Sequence, residues 1–286
     1  MEAQWSAAIL VAAVATAFAA DAQAPPKNER QQQWAWCQGE MGGANAVSPD
    51  LKISGCTTRI QSGQESAHNL SVAFTNRGLA YLSKKDKVQA LKDLVQATKV
   101  DPNNAWSWAE LCSVHSWNDA RDLAVEECST SIRLAPNAAS GWTYRGDIYL
   151  QTAQYEKAIA DYDHAIQLNP KWMWPWDNRG EAYLRMGKTE RAIQDFNQVI
   201  ALAPDYAMGY LDRGIARLTA RQHDMALADF NAGLKVQPDS TSCLYGRGLA
   251  KRESGDNAGG DADIAAARAK SPKVGEYFEK YGIKQP

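Results

Sequence analysis

The chain has 286 residues, of which 45% are hydrophobic and 22% are charged, a composition typical of a folded protein and not of a disordered one. Lys and Arg total 31 against 33 Asp and Glu, so the formal net charge of −2 excludes a global basic field that would hold nucleic acid or an anionic membrane. The one long apolar run lies at the N-terminus, which excludes a protein with several membrane spans.

Residues 1–20 have the anatomy of a secretory signal peptide. Residues 7–20 form an uncharged apolar run that is short for a membrane span, and A-x-A cleavage patterns end at Ala19 or Ala22. The residues before the run contain no Lys or Arg, which departs from the usual pattern. A short buried helix is the alternative. We expect an exported protein, either periplasmic or secreted.

Two segments follow the predicted signal peptide. Residues 21–33 are polar and are expected to form a flexible leader. Residues 34–70 are expected to form a divergent half or whole repeat that caps the N-terminal end. Within this cap, Cys56 lies four residues before an isoleucine, as Cys128 does in the second helix of a later repeat.

A 34-residue period organises residues 71–272. Six prolines are spaced 34 residues apart, at Pro102, Pro136, Pro170, Pro204, Pro238 and Pro272. With each proline at repeat position 32, the copies are 71–104, 105–138, 139–172, 173–206, 207–240 and 241–272. Positions 4, 7, 8 and 11 form one helical stripe and positions 20, 24 and 27 form a second, so each copy is predicted to contain two helices that end before the proline.

The period and the residue types resemble the tetratricopeptide repeat, most closely in the third and fourth copies, for example in GWTYRGDIYL and AIQDFNQVIALAP. The resemblance implies an all-α fold, a right-handed α-solenoid of six helix-turn-helix repeats plus the divergent N-terminal cap. The Cys-bearing leader is similar to that of exported bacterial proteins of this family. Residues 273–286 contain Tyr277, Phe278 and Tyr281, and are expected to form a capping helix over the last copy.

An Arg at position 7 and an Asp at position 23 recur in five copies. The predicted ion pairs are Arg77–Asp93, Arg145–Asp161, Arg179–Asp195, Arg213–Asp229 and Arg247–Asp263. The second copy has Leu111 and Glu127 instead. The guanidinium fork suits bidentate contact with a carboxylate. Since a catalytic pair would not recur five times, we interpret these pairs as structural.

The five cysteines predict two disulfides in an oxidising compartment. Cys112 and Cys128 occupy positions 8 and 24 of one copy, which face each other across its hairpin. Cys37 and Cys56 are the natural second pair, within the cap, and Cys243 is left over. The alternative is five buried, reduced thiols in a cytosolic protein.

The sequence contains no recognisable catalytic, cofactor or metal motif. The four histidines lack the HExxH spacing, and neither GxSxG nor CxxC occurs. Gly187, Lys188 and Thr189 look like the end of a phosphate-binding loop, but the required earlier glycine is Ala182. His115 lies at an inward repeat position and is interpreted as a core histidine. We therefore predict no catalytic residue, no cofactor and no metal, and a protein that is not an enzyme.

The resemblance implies a partner-binding groove along the first helices, at repeat positions 2, 5, 9, 12 and 13. The candidate groove residues are Trp106, Trp117, Asp147, Trp174, Asp177, Glu181, Leu211 and Tyr245. They make the groove acidic and aromatic in the middle and apolar toward both ends, which favours a partner segment with a basic residue flanked by apolar anchors. The alternative is a solvated face with incidental tryptophans.

Three functional hypotheses follow. The first is an exported scaffold or adaptor that binds a peptide or partner segment in envelope assembly or secretion, with no nucleic acid and no membrane span after signal removal. The second is a structural or self-associating solenoid without an external ligand. The third, a cytosolic co-chaperone, is disfavoured because the family's basic clamp for a C-terminal carboxylate is absent.

Overall fold

The computed structural model describes residues 29–39, 47–117 and 120–284. The predicted signal peptide and most of the predicted leader lie outside these ranges. The described residues form an all-α fold of fifteen helices without a strand, as the period predicted. The chain divides into two compact units, the first ending at Pro136 and the second beginning at Asn137.

The first unit contains three helical hairpins. Its helices are α1 (Glu29–Gln38), α2 (Pro49–Gln61), α3 (Ala67–Ser83), α4 (Lys87–Val100), α5 (Ala105–Trp117) and α6 (Arg121–Leu134). The pair α1 and α2 occupies the region of the expected cap. Helix α1 begins at Glu29, so the last residues of the expected leader, 29–33, are helical. At the start of α2, the side chain of Ser48 accepts a hydrogen bond from the backbone N–H of Leu51, and Pro49 opens the first turn.

The second unit contains four helical hairpins and one short final helix. Its helices are α7 (Ala139–Gln151), α8 (Tyr155–Leu168), α9 (Met173–Arg185), α10 (Thr189–Leu202), α11 (Ala207–Thr219), α12 (His223–Val236), α13 (Thr241–Glu253), α14 (Asn257–Lys270) and α15 (Val274–Glu279). Each hairpin is one copy of the 34-residue period. We call α3, α5, α7, α9, α11 and α13 the first helices, and their hairpin partners the second helices.

Close packing within each hairpin explains the small residue at position 8. A Cβ atom added to Gly180 would lie 2.7 Å from a ring carbon of Phe196, and one added to Gly146 would lie 2.7 Å from the ring of Tyr162. Such a contact is shorter than van der Waals packing allows, so glycine lets the aromatic ring fill the space between the helices.

The turn between the two helices of a copy requires a left-handed backbone at position 15. The φ angles there are +63° at Lys85, +56° at Ala153, +72° at Gly187, +58° at Arg221 and +95° at Gly255. Glycine adopts this conformation without steric cost, whereas the other three residues do not. Gly187 therefore serves the hairpin turn.

In three copies the aromatic residue at position 4 ties the copy to the proline at the end of the preceding one. The polar atom of this side chain donates a hydrogen bond to the proline carbonyl oxygen, in the pairs Trp108–Pro102 (2.8 Å), Trp176–Pro170 (3.0 Å) and Tyr210–Pro204 (3.1 Å). These bonds give a structural reason for part of the tryptophan content.

Candidate functional site

The five Arg–Asp pairs form a repeated bidentate contact between the two helices of a copy. In each pair the arginine Nε and Nη2 donate to the two carboxylate oxygens. The donor–acceptor distances are 2.7 and 2.8 Å for Arg77–Asp93, 2.8 and 2.9 Å for Arg145–Asp161, 2.8 and 2.7 Å for Arg179–Asp195, 3.1 and 2.6 Å for Arg213–Asp229, and 2.7 and 2.8 Å for Arg247–Asp263. All five carboxylates are buried, so each pair fixes its hairpin.

The remaining nitrogen of some of these arginines links neighbouring copies. Arg179 Nη1 donates to Asp163, and Arg213 Nη1 donates to Asn197 at 2.7 Å. Asp163 and Asn197 both occupy position 25 of the preceding copy. This contact was not predicted from the sequence, although a polar residue recurs at position 25 of consecutive copies.

The second copy replaces the Arg–Asp pair with a His–Glu pair. The Nδ1 atom of His115 lies 2.8 and 2.9 Å from the two carboxylate oxygens of Glu127. Burial, the largest influence, raises the pKa of Glu127 above its ordinary value. His115 is therefore a core histidine with a defined partner.

The structure brings the predicted cysteine pairs together. The Cα atoms are 4.6 Å apart for Cys37 and Cys56 and 5.4 Å apart for Cys112 and Cys128, and both pairs are bonded and fully buried. Cys243 is buried as a free thiol. Within the described residues, no group of three or more His, Cys, Asp or Glu side chains is arranged to hold a metal ion. None of the helices described there is long and apolar enough to cross a membrane.

In the first unit, the candidate groove residues lie at the two ends of α5. Trp106 is half-buried, and its Nε1 donates to Glu110 at 3.0 Å. Trp117 has 37% of its surface exposed. Of the two candidate tryptophans in this unit, Trp117 therefore exposes the larger aromatic surface.

In the second unit, Asp147 is occupied by internal partners. Its Oδ1 accepts hydrogen bonds from the hydroxyl of Tyr162 at 2.8 Å and from Nδ2 of Asn178 at 2.7 Å. Burial raises the pKa of Asp147 to about 6. This carboxylate joins α7, α8 and α9, so its direct role is in packing and not in an open acidic groove.

A group of three carboxylates, Asp177, Glu181 and Asp212, lies on the first helices α9 and α11. Asp177 is 9% exposed and accepts a hydrogen bond from Tyr206, but its Oδ1 has no hydrogen-bond partner. Burial, followed by the nearby charge of Glu181, raises the pKa of Asp177 to about 7. Burial also raises the pKa of Asp212, and the charge of Asp177 adds to the effect. We call these three side chains the acidic cluster.

Two further contacts border the acidic cluster. Glu181 accepts from Nη2 of Arg185 at 2.7 Å, one turn along α9. The half-buried ring of Trp174 meets the ring of Tyr206 edge to face, with 5.5 Å between the centroids. This part of α9 therefore presents an aromatic surface beside negative charge.

Leu211 and Tyr245 do not line an open groove, which corrects the sequence-based expectation. Leu211 is 1% exposed and Tyr245 is fully buried. The ring of Phe278 packs against Tyr245 with 5.0 Å between the centroids. The apolar surface at this end is covered by the chain's own C-terminal residues, so neither side chain can contact a partner while that cover is in place.

The covering residues, 274–283, are called the C-terminal segment. The Tyr277 hydroxyl donates to Asp212 Oδ1 at 3.0 Å, and the Arg185 guanidinium carbon lies 5.3 Å from the centroid of the Tyr281 ring. Phe278 is fully buried. The segment was expected to cover only the last copy, but it contacts the first helices of three copies, α9, α11 and α13.

Family models match three regions of the chain. Residues 146–187 match the TPR repeat, and residues 178–206 and 72–104 match the tetratricopeptide repeat. The chain is a tetratricopeptide repeat protein. Repeats of this kind generally serve as scaffolds that bind proteins or peptides. A search of curated proteins found no match.

Solved structures with the same fold include proteins of different assemblies. Cut9–Hcn1 of the APC/C is 14% identical with a TM-score of 0.66; the match covers 82% of this chain and 48% of the other, so the present chain spans about half of it. PilF of Pseudomonas aeruginosa is 21% identical with a TM-score of 0.66, covering 77% and 100%. PilW, a type IV pilus biogenesis factor, is 18% identical with a TM-score of 0.65, covering 71% and 94%. At these identities the likeness concerns the fold alone.

Proposed function

We propose that this tetratricopeptide repeat protein is an exported scaffold or adaptor that binds a partner protein or peptide on its first helices. The observation that carries the proposal is the surface of α9, where the partly exposed Trp174 lies on the same side of the helix as Asp177 and Glu181, three and seven residues further on. An aromatic ring of this kind supplies binding energy through its large apolar area, and the adjacent charge supplies selectivity.

The partner is a polypeptide segment with a basic residue. Asp177 and Glu181 lie one turn apart on α9, and Arg185 is the only basic side chain paired with Glu181 among the described ion pairs. A lysine or arginine of the partner would add positive charge where negative charge is in excess. An apolar residue beside it would cover the exposed face of Trp174.

An envelope location is supported by two independent features. The apolar N-terminal run has the pattern of an export signal. The two bonded cysteine pairs fit an oxidising compartment. PilW, which shares the fold, is a pilus biogenesis factor, so a role in envelope assembly or secretion is the setting that we propose.

A structural role without an external ligand is the second candidate. The observation that favours it is the C-terminal segment, which already covers the first helices α11 and α13. In that case the remaining open face of α9 would contact only solvent or another copy of the chain.

Photo-crosslinking in the native host distinguishes the two candidates. A photoreactive residue replaces Trp174, and a matched control replaces Met225, which is 56% exposed on the second helix α12. The adaptor predicts one dominant foreign protein linked at Trp174 and not at Met225. Adducts only with the same chain, or equal labelling at both positions, would contradict the adaptor.

A further inference from the structure

The C-terminal segment occupies its site with aromatic anchors. Phe278 fills the apolar space beside Tyr245, and Tyr281 stacks near Arg185 at the end of α9. Tyr277 directly precedes Phe278 in sequence, and its hydroxyl reaches Asp212 of the acidic cluster. The segment therefore occupies its site as an external peptide would, with two aromatic residues on the short helix α15 and a third, Tyr281, in the turn that follows it.

This internal ligand matches the apolar part of its site well but leaves the charged part incomplete. Tyr277 donates one hydrogen bond, to Asp212, whereas the acidic cluster to which Asp212 belongs contains three carboxylates. The Oδ1 atom of Asp177 is without a hydrogen-bond partner although its residue is nine-tenths buried. Buried polar atoms in native proteins are generally hydrogen-bonded, so this atom marks a place where a donor is missing.

A cation satisfies such a site better than a hydroxyl group does. Lysine carries three donors on one ammonium group, and its positive charge beside the cluster would favour the ionised forms of Asp177 and Asp212, which burial disfavours. Arg185 donates to Glu181 through Nη2, and its Nε and the Oδ1 atom of Asp177 both lack a partner, so the two side chains do not satisfy each other in this arrangement.

We propose that the face formed by α9, α11 and α13 binds a short partner helix that displaces the C-terminal segment, with aromatic anchors in place of Phe278 and Tyr281 and a lysine in place of Tyr277. This inference rests on the proposed function and specifies the chemistry of its partner. The C-terminal segment then acts as an internal competitor, so a partner with only the apolar anchors gains little over it.

Two synthetic peptides serve as probes. One has the sequence of residues 271–284, and the other has the same sequence with the change Tyr277→Lys. Each carries a fluorescent label and is titrated into the full chain while polarisation is recorded. The protein is used as wild type and as the double variant Tyr277→Phe, Tyr281→Leu, which loosens the segment but retains the Phe278 anchor. The single variant Tyr277→Phe serves if the double variant does not fold.

We expect the lysine peptide to bind the loosened protein about ten-fold more tightly than the unchanged peptide, because a charged hydrogen bond replaces a neutral one. It should bind the wild-type protein more weakly than the loosened protein, since the attached segment competes. Adding Asp177→Asn to the loosened protein should abolish the preference for lysine, and adding Asp239→Asn, which removes an exposed charge, should not.

Equal affinity for the two peptides would overturn the lysine assignment. A stronger affinity for the unchanged peptide would overturn it too, and would point to exchange of C-terminal segments between copies of the chain. Failure of both peptides to bind a loosened variant with wild-type circular dichroism would overturn the displacement. Such a failure together with a foreign adduct at Trp174 would leave the proposed function standing, because Trp174 lies on α9 one turn before the acidic cluster.

Discussion

The buried carboxylate of Asp177 makes a quantitative prediction about pH and stability. Its pKa is raised from 3.8 to about 7, chiefly by burial and then by the charge of Glu181. A raised carboxyl pKa means that the folded protein binds the proton more tightly than the unfolded chain does. The stability cost is therefore absent below about pH 4, grows as the pH rises to about 7, and is constant above that.

The variant Asp177→Asn removes this cost, because the amide cannot ionise and can still accept the hydrogen bond from Tyr206. A shift of roughly 3 pKa units at about 1.4 kcal/mol each gives an upper value of about 4 kcal/mol at pH 8. At pH 5 the same relation gives about 2 kcal/mol. The Asn variant should therefore be more stable than wild type, by a margin that increases between pH 5 and pH 8.

Urea unfolding of both proteins at the two pH values measures this margin directly. The charged and titratable groups around Asp177 are Glu181 and Arg185 on α9, Tyr206 before α11, Asp212 on α11 and Tyr277 in the C-terminal segment. The charge of Asp177 also raises the pKa of Asp212, so the difference between the two proteins reports the ionisation of Asp177 together with its effect on Asp212. The control Asp239→Asn should show no change of margin with pH. A margin that is constant or falls from pH 5 to pH 8 would refute the assignment of Asp177 as a buried, ionising group.

Three further predictions concern the repeats. Arg145→Leu and Asp161→Leu should each lower the free energy of unfolding. Because the two side chains form one bidentate contact, the double variant should lose about 1–3 kcal/mol less than the sum of the two single losses. Additive losses would exclude the coupling. Ala153→Gly should raise the thermal midpoint and increase the free energy of unfolding by about 0.5–1 kcal/mol, because alanine has a φ of +56° at this position. A lowered midpoint would show that the turn is not strained. Alkylation of the unfolded, unreduced mature protein should add one group, at Cys243, as measured by intact mass; five groups would show that both cysteine pairs are reduced.

The repeat architecture could be predicted from the sequence because each copy repeats the same local information. A proline at position 32 recurs six times, and a glycine at position 8 opposite a large residue at position 24 recurs in the five copies other than the second, so one hairpin predicts the others. The Arg–Asp pairs were visible for the same reason, since both partners of a pair lie in one copy. Gly180 against Phe196 shows how such a pair of positions fixes the distance between two helices.

The environment of the candidate site could not be predicted from the period. The C-terminal segment occurs once, and its position depends on which surface of the last hairpin offers matching apolar area. Tyr245 and Leu211 have the same repeat position as Asp177, so the pattern assigned all three to one open face. The packing of Phe278 against Tyr245 buries that end of the face, and the hydroxyl of Tyr277 determines the surroundings of the acidic cluster.

The central claim is that a partner binds beside Trp174 and the acidic residues of α9. The most direct measurement is the yield of the crosslinked partner at Trp174 in the native host, compared between the unchanged protein and the variant Glu181→Lys. The matched control is Glu253→Lys, which reverses an exposed charge at the end of α13. The account predicts a foreign adduct whose yield falls strongly with Glu181→Lys and is unchanged with Glu253→Lys. An adduct of equal yield in all three proteins would contradict it.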